Sequence, residues 1–399
     1  MKVAEVRADM PFLENVVYMD AASTTPTPKP VVDAMFEYYH SYNTNIGRGA
    51  YRAAIKATSE VSKTRSRLAK FINCDHDEII FTNNTTQAIN LVSHGFNFKK
   101  GDSIIVPNIE HHSNLVPWLN LKKLGVNIKM IKADKNQMVN PADIEDAIDE
   151  STKLITLTHV SNSIGSVLPV HEIGKIAKEN DIYYMVDAAQ SAGHMYMDIK
   201  RIQADFMAFP GHKGFLGPVG TGLLYCDMEI MEDLEPIHLG GGTVTDVTET
   251  DFKLAKPPER FEGGTLNISG IIGLGSAIEY LNRIGMENIE KHSKKYTQMM
   301  YKGIQDVENS IVYGRPEAIY DIVGFNISGV HCHDVAKILD EQARICVRSG
   351  MHCAIPAIRQ IGAYDFGGTV RASIHYYNTK EEIKILIDTL EEISRFLGD

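Results

Sequence analysis

IYYMVDAAQ (182–190) and ADFMAFPGHK (204–213) decide the fold. Each opens as a short run rich in Val, Ile, Phe, Tyr and Met and closes on polar residues. Runs of that length and composition predict strands, here over 182–189 and 204–210. Five further runs read the same way: EIIFT (78–82), DSIIVPN (102–108), NIKMIKA (127–133), KLITLTHV (153–160) and GTGLLYC (220–226). Several are apolar on both faces, as a sheet covered on both sides requires. Segments of helical period lie between them at 84–96, 113–124, 141–148 and 170–180. Alternating strand and helix predict an α/β domain around a mostly parallel, seven-stranded sheet.

Beyond about residue 265 the pattern changes. IIGLGSAIEYLNRIG (271–285) predicts a long helix, followed by strands near 309–314 and 321–328 and a helix at 333–342. The last helix carries a capping-box pair, Thr379 and Glu382. After it Ile383, Leu386, Ile387, Leu390, Ile393 and Leu397 keep one apolar face. These elements predict a smaller C-terminal α/β domain. The expected division is a large domain over 21–265 and a small one built from 1–20 and 266–399.

The 399 residues carry 40 basic and 51 acidic side chains, a formal net charge of −11, with no basic run longer than pairs such as Lys99-Lys100. That balance opposes phosphate-backbone binding, so nucleic acid is not an expected partner. No stretch approaches the ~20 apolar residues that span a bilayer. The opening MKVAEVRADMPFLEN (1–15) is interrupted by charge and has no signal-peptide core. The expectation is a cytoplasmic protein with no membrane partner. Its five cysteines (Cys74, Cys226, Cys332, Cys346, Cys353) are an odd, irregularly spaced set, which in a reducing compartment means free thiols. Four are expected to be buried small hydrophobes, leaving one for chemistry.

Ligands of open parallel sheets bind beyond the carboxyl ends of the strands. At those ends stand Asn83, Asn84, Thr85 and Thr86, which open a helix; Glu110, His111 and His112; Asp187; and Lys213. Amides and hydroxyls at a helix start bind phosphate, although alone such a run is an ordinary N-cap. A carboxylate closing the apolar strand at Asp187 needs a positive partner. A lysine among Gly, Phe and Leu can be desolvated and held partly neutral, as a Schiff-base amine must be. Pyridoxal phosphate requires this set: an amine for its aldehyde, an acid for its ring nitrogen, donors for its phosphate and a flat partner for its ring.

The same residues carry a family resemblance. YMDAASTTPTP (18–28), EHHSNLVPW (110–118), THVSNSIG (158–165), VDAAQ (186–190), GHK (211–213), RFEGGT (260–265), VRSGMHCA (347–354) and RASIHYYNT (371–379) resemble class V aminotransferase-fold enzymes. Within these the chain is most similar to type II, SUF-kind cysteine desulfurases and to selenocysteine lyase-like proteins. The resemblance implies the type I pyridoxal-phosphate transferase fold. It also implies conversion of L-cysteine, or L-selenocysteine, to L-alanine, supplying sulfur for iron–sulfur cluster assembly. Other outcomes on the same cofactor, C–S lysis or transamination, share the pattern. Motif by motif, it implies that Lys213 holds the cofactor aldehyde and moves the substrate α-proton. Asp187 pairs with the ring nitrogen, Gln190 with the phenolic oxygen, and His111 stacks on the ring and, as a catalytic residue, shuttles protons. Thr85, Thr86 and His212 bind phosphate, with Thr265 reaching the phosphate of the other subunit of a homodimer. Asn162 and Arg371 hold the substrate carboxylate. Cys353 takes the sulfur as a persulfide, with Arg348 nearby to favour its thiolate, and passes it to an acceptor protein.

His331-Cys332-His333-Asp334 could suggest metal ligands, but no second pair stands at a usual zinc distance, so no metal site is expected. The remaining cysteines read as structural. Three positions depart from the desulfurase pattern: Pro210 where a phosphate-binding Ser is usual, and Gln87 and Leu239 where acids are common. Pro offers neither hydroxyl nor N–H, so that phosphate contact is lost. The short spacing from Arg348 to Cys353 implies a fairly rigid cysteine to which the acceptor must come.

Overall fold

All seven apolar runs are strands of one sheet in the computed structural model, which describes residues 1–397. After a two-residue strand β1 (Val17–Tyr18) come β2 (Ile79–Thr82), β3 (Ser103–Pro107), β4 (Asn127–Ile131), β5 (Thr152–Thr158), β6 (Tyr183–Asp187), β7 (Phe206–Pro210) and β8 (Gly222–Cys226). Their order in the sheet is β2-β8-β7-β6-β5-β3-β4. Only β8 runs against its neighbours β2 and β7; the pairs from β7 to β4 are parallel. Every residue of β3, β7 and β8 is buried, which is why these strands lack alternation. The carboxyl ends of β3, β5, β6 and β7 lie side by side, so segments 108–114, 158–163, 187–191 and 210–214 open on one edge.

Helices Thr85–Gly95, Pro141–Asp146 and Val170–Glu179 stand where their periodicity places them. The single helix expected over 113–124 is a correction. The segment breaks into a 3-10 turn (His112–Asn114), one turn of α-helix (Val116–Asn120) and a second 3-10 turn (Leu121–Leu124). Pro117 cannot donate into a preceding turn, and Leu115 leaves helical geometry at φ −121°. Two long helices, Lys29–Ser41 and Arg52–Ile72, were not resolved from the sequence pattern; they pack against helix Ile268–Ile284.

Arg65, inside helix Arg52–Ile72, explains part of that packing. Its guanidinium grips Glu262 through two bonds of 2.9 and 2.8 Å, with both side chains 7% exposed or less. Glu262 also accepts from Phe81 N at 2.7 Å, and Arg65 donates to the Ile79 carbonyl. The pair therefore joins a helix, the edge strand β2 and the Gly-Gly-Thr turn. Glu262→Gln leaves a buried guanidinium without its counter-charge. Loss of about 3 kcal/mol of stability is expected, since breaking a buried pair from one side costs roughly 3–5 kcal/mol. Urea unfolding measures it, and a loss below about 1 kcal/mol would refute the assignment.

Beyond a short antiparallel pair, β9 (Val244–Val247) and β10 (Phe252–Leu254), the C-terminal part builds its own antiparallel sheet from β11 (Ser310–Val312), β12 (Ile322–Ile327), β14 (Arg348–Gly350) and β15 (Thr369–Ser373), ordered β11-β12-β15-β14. A separate core including Val323, Phe325, Ile327, Leu386 and Leu390 lies under helices Met286–Gln305, Cys332–Ala343 and Lys380–Leu397. The capping box is made: Thr379 N donates to Glu382 Oε2 at 2.9 Å and Glu382 N to Thr379 Oγ1 at 3.2 Å. Four of the apolar positions read on that last helix, Ile383, Leu386, Leu390 and Ile393, are buried. The Leu397 side chain lies outside the described residues. Ile268, Ile271, Leu274, Ile278 and Leu281 share the core of the large sheet, and we propose a domain boundary near residue 285.

The first twenty residues bridge the two parts. Val6, Met10 and Leu13 enter the core of the large sheet, whereas Val17 and Met19 enter the second core. β1 pairs in parallel with β13 (Ile345–Cys346), and Arg7 donates to the Tyr377 carbonyl and to Glu382. No helix among the described residues is long and apolar enough to cross a membrane.

Candidate active site

One end of the cavity is the start of helix Thr85–Gly95. Asn84 caps it by accepting from Gln87 N at 2.9 Å, and Gln87 Oε1 accepts from Asn83 N at 2.7 Å. Gln87 is thus spent on the cap, a job its amide oxygen performs without a carboxylate. The Thr85 hydroxyl is buried with no hydrogen-bond partner. A buried unpaired hydroxyl costs roughly 1–3 kcal/mol, so it is aimed at something that completes it. Thr86 Oγ1 meets Ser113 Oγ at 2.6 Å, and His212 Nδ1 lies 3.2 Å from Thr24 Oγ1. Pro210 lines the wall without donating.

The same cavity receives Thr85, His111, Asp187, Gln190, His212 and Lys213, together with Thr86 and Asn162. Asp187, closing β6, is 2% exposed and accepts from Ala189 N at 2.9 Å. Burial pushes its carboxyl up, and the Lys213 amine works against that shift. Burial lowers the Lys213 amine to about 8; Asp187 opposes the shift, while Arg371 and Arg348 add to it. A neutral amine is therefore accessible near physiological pH. His111 accepts from Ser113 N through Nδ1 at 3.0 Å, which leaves the proton on Nε2. Burial, then Lys213, bring its pKa to about 3, so the ring is neutral. Burial and Lys213 likewise bring His212 to about 4. Gln190 spends one amide N–H on the Ala22 carbonyl at 2.9 Å.

The loop bearing Lys213 is fixed by close backbone packing. A Cβ on Gly193, at φ +80°, would lie 2.2 Å from Gly214 carbonyl atoms, and one on Gly214 would meet Ala192 O at 2.2 Å. The turn after Gln190 and the turn after Lys213 thus stack backbone on backbone, locking the amine to the strand end that carries Asp187. His375 Nε2 adds a contact to Gly214 O at 3.1 Å.

Arg371, 1% exposed on β15, does not line the cavity itself but joins it from the second sheet through Asn162, which does. Its NH1 donates to Asn162 O at 2.8 Å, and NH2 to Asp20 Oδ1 at 3.0 Å and Ser23 Oγ at 2.7 Å; Nε is buried without a partner. Arg348 NH1 reaches the same Ser23 hydroxyl at 3.2 Å. Asn162 Nδ2 donates to His352 O at 2.7 Å, so this amide already braces the cysteine loop. Cys353 is exposed. It and His352 stand consecutively in the left-handed region, at φ 56° and 50°, a conformation costing roughly 1–2 kcal/mol for each such residue. His112 N donates to Cys353 O at 2.7 Å, and His352 Nε2 meets Thr369 O at 3.0 Å and Thr369 Oγ1 at 2.9 Å. The loop is therefore held from both sheets. Cys353 lies close enough to the Arg371 guanidinium to act on it.

Thr265 is not in the Lys213 cavity. It lines neighbouring depressions, one with Asn83, Gln87 and His238 and one with Arg48 and Gly241. Leu239 is exposed. The expectation of four buried cysteines needs correcting: Cys226 and Cys332 are buried, but Cys74 and Cys346 are only partly so, because both lie at element ends. His331 Nδ1 accepts from His333 N as a helix cap, and no group of three ligand-type side chains able to hold a metal occurs among the described residues.

One pair escaped the sequence reading, and one residue was read only as a strand end. Asp20 and Ser23 sit in MDAAS (19–23), where a carboxylate directly after an apolar run was the available signal. Glu110 is wholly buried, accepting from Thr158 N at 2.9 Å and Asn114 Nδ2 at 2.7 Å. Asn114 in turn accepts from Trp118 Nε1 and Thr156 Oγ1. Burial raises Glu110 to about 8 against those two bonds, and Asp187 adds to the rise. This network anchors the backbone of His111.

The donor set fits pyridoxal phosphate. An unpaired hydroxyl stands at a helix N-terminus, an amine and an acid share one cavity, and a neutral imidazole forms a wall. The profile of the family described as "Aminotransferase class-V" matches residues 17–386. A "Probable cysteine desulfurase" of Methanothermobacter thermautotrophicus is 56% identical over 394 residues, covering 99% of this chain and 98% of that one. Another, from Pyrococcus abyssi, is 44% identical and covers 100% and 99%. Among solved structures, the apo structure of a cysteine desulfurase from Thermococcus onnurineus NA1 superposes with a TM-score of 0.95 at 43% identity, covering 98% of each chain.

Proposed function

This chain belongs to the class-V aminotransferase family, and from that premise we propose that it is a pyridoxal-phosphate-dependent cysteine desulfurase. The observation that carries the reading is the convergence of Lys213, Asp187, His111 and the unpaired Thr85 hydroxyl on one cavity, with an exposed Cys353 on a braced loop beside Arg371.

Thr85, Thr86 and His212 would hold the phosphate, Asp187 the ring nitrogen, Gln190 the phenolic oxygen and His111 the ring face. Pyridoxal phosphate, when bound, supplies an aldehyde that takes up amines and a cationic ring that withdraws electrons from the substrate Cα. Arg371, whose Nε–H has no partner among the described residues, receives the substrate carboxylate. The neutral Lys213 amine removes the Cα proton. The Cys353 thiolate attacks the substrate sulfur: an S–S bond forms, the C–S bond breaks, and its electron pair stays with carbon. A proton delivered to that carbon, with return of the Cα proton from Lys213, completes alanine, and Cys353 keeps the extra sulfur as a persulfide. No external oxidant or reductant enters until a thiol or an acceptor protein removes that sulfur.

The short Arg348–Cys353 spacing supports the SUF-type subgroup, in which the acceptor protein comes to the cysteine. We also read the protein as a homodimer. Val32, Phe36, Tyr39, Tyr51 and Ile55 expose a broad apolar face on helices Lys29–Ser41 and Arg52–Ile72, and the hollow containing Thr265 adjoins it at Tyr51. Thr265 would there serve the phosphate site of the other subunit. The function is tested by incubating the purified, cofactor-loaded protein with L-cysteine and dithiothreitol. Alanine and sulfide are expected in equal amounts; a keto acid without sulfide would mean transamination instead.

A further inference from the structure

Lys213 is pinned through its backbone by donors from distant segments. His212 O accepts from Thr25 N at 3.0 Å and Thr24 Oγ1 at 3.1 Å, and Lys213 O from Thr25 Oγ1 at 2.7 Å. The next carbonyl, Gly214 O, takes His375 Nε2 at 3.1 Å and has no other donor among the described residues. His375 is the donor supplied by the second sheet. It closes the run RASIH (371–375), just past the end of β15.

The imidazole is fixed on every side. Tyr376 N donates to Nδ1 at 2.7 Å, so Nε2 carries the proton that Gly214 O receives. Burial first, and His194 second, push the ring well below the usual histidine range, so it is neutral. Tyr377 stacks on it at 5.6 Å with the planes 12° apart, and the His194 ring covers it at 4.6 Å. His194 is itself held from the small domain, its Nδ1 lying 2.7 Å from Oδ2 of the buried Asp321. His375 N donates to Asn378 Oδ1 at 2.9 Å, which closes the backbone around the ring. One short segment thus carries Arg371 at its start and, at its end, the group that holds the carbonyl beside the Lys213 amine.

We propose that His375 is a positioning residue for Lys213: by holding the Gly214 carbonyl it keys the amine to the strand that bears Arg371. The inference deepens the desulfurase reading and rests on it for the work Lys213 does. A base that moves a Cα proton while a guanidinium holds the carboxylate needs a constant distance between the two, and a misplacement of about 1 Å can cost roughly a hundredfold.

The test follows the amine itself. Trace acetylation of the cofactor-free, full-length protein, read by mass spectrometry of the Lys213 peptide, gives the pH midpoint of that amine. The wild-type midpoint should lie near 8. The charged groups that face the amine, Asp187, Asp20, Arg371 and Arg348, stay in place when His375 is changed, so a moved midpoint reports placement and not charge. His375→Phe keeps a flat neutral ring and removes the donor. It should raise the midpoint by about one unit or more as the freed amine reaches water. His375→Gln can donate from its own amide and should return the midpoint to the wild-type value. Both variants lose the Tyr376 bond, so their difference isolates the donor to Gly214. An unchanged midpoint in folded His375→Phe is what a purely structural histidine would give, and it overturns the proposal. An equal rise in His375→Gln overturns it as well. Nitrogen NMR of histidine-labelled wild-type protein should find His375 neutral with its proton on Nε2. A cationic ring, or a proton on Nδ1, overturns the proposal even if His375→Phe fails to fold. Wild-type protein that labels as expected, yet makes no alanine and sulfide from L-cysteine, would defeat the desulfurase reading alone.

Discussion

Cys353→Ala is expected to lower sulfide and alanine formation from L-cysteine by at least about a hundredfold, because removing an essential nucleophile eliminates the step it opens. Uptake of the cofactor should persist. Cys353 contributes no side chain to the Lys213 cavity, and the loop's bonds run through the His352 and Cys353 carbonyls and the His352 ring. Alanine would suit the backbone no worse than cysteine, since both bear a Cβ in the left-handed region at φ 56°. The loss is therefore chemical. Mass spectrometry of the wild type after one turnover should find one added sulfur on the peptide containing Cys353. Undiminished alanine formation by the variant would remove the thiol from the mechanism.

Lys213→Ala should cost about a thousandfold or more in the same assay. A positioned general base alone contributes roughly 10²–10⁴-fold, and the covalent anchor is lost with it. The wild type carries a second signature of this group. With its pKa brought from 10.5 to about 8 by burial, about one tenth of the amine is neutral at pH 7, against about one in three thousand for an ordinary lysine. The sign is set by the neutral form being the reactive one. Reaction of the cofactor-free protein with pyridoxal phosphate should accelerate as pH rises to 8 and level off above it. A rate still climbing steeply beyond pH 10 would show an unperturbed lysine, and Lys213→Ala should lack the phase altogether.

Much of this site was legible in the chain because its parts are strand ends. Asp187 and Lys213 each follow a run that is apolar to its last residues, and parallel neighbours bring such ends together without further information. Thr85 and Thr86 were legible for the same reason, opening a helix directly after a strand. The pieces that stayed hidden depend on pairing between distant segments. Nothing local to Asp20 announces that it will face Arg371, 351 residues away, and nothing around Gln87 shows that its amide closes a cap. Glu110 was legible as a strand-end residue, but sequence cannot report that Asn114 and Thr158 will satisfy it in the interior. Residues 113–124 were misjudged through a sound local rule applied too far: periodicity was present, but Pro117 limits how much of it one helix can use. Thr265 shows a different limit, since its expected role belongs to a neighbouring subunit and one chain does not contain that geometry.

The bridging N-terminal segment bears on how the protein is made. Residues 1–20 leave the ribosome more than three hundred residues before their partners Ile345, Arg371, Tyr377 and Glu382. Domains usually complete themselves in order of synthesis, and contacts of long sequence separation form late. Here the opening segment has to wait, unpaired, for nearly the whole polypeptide. The Asp20–Arg371 contact thus closes only after Arg371 has been made, and a nascent product that has already folded its Lys213 cavity still lacks the guanidinium proposed to receive the substrate carboxylate.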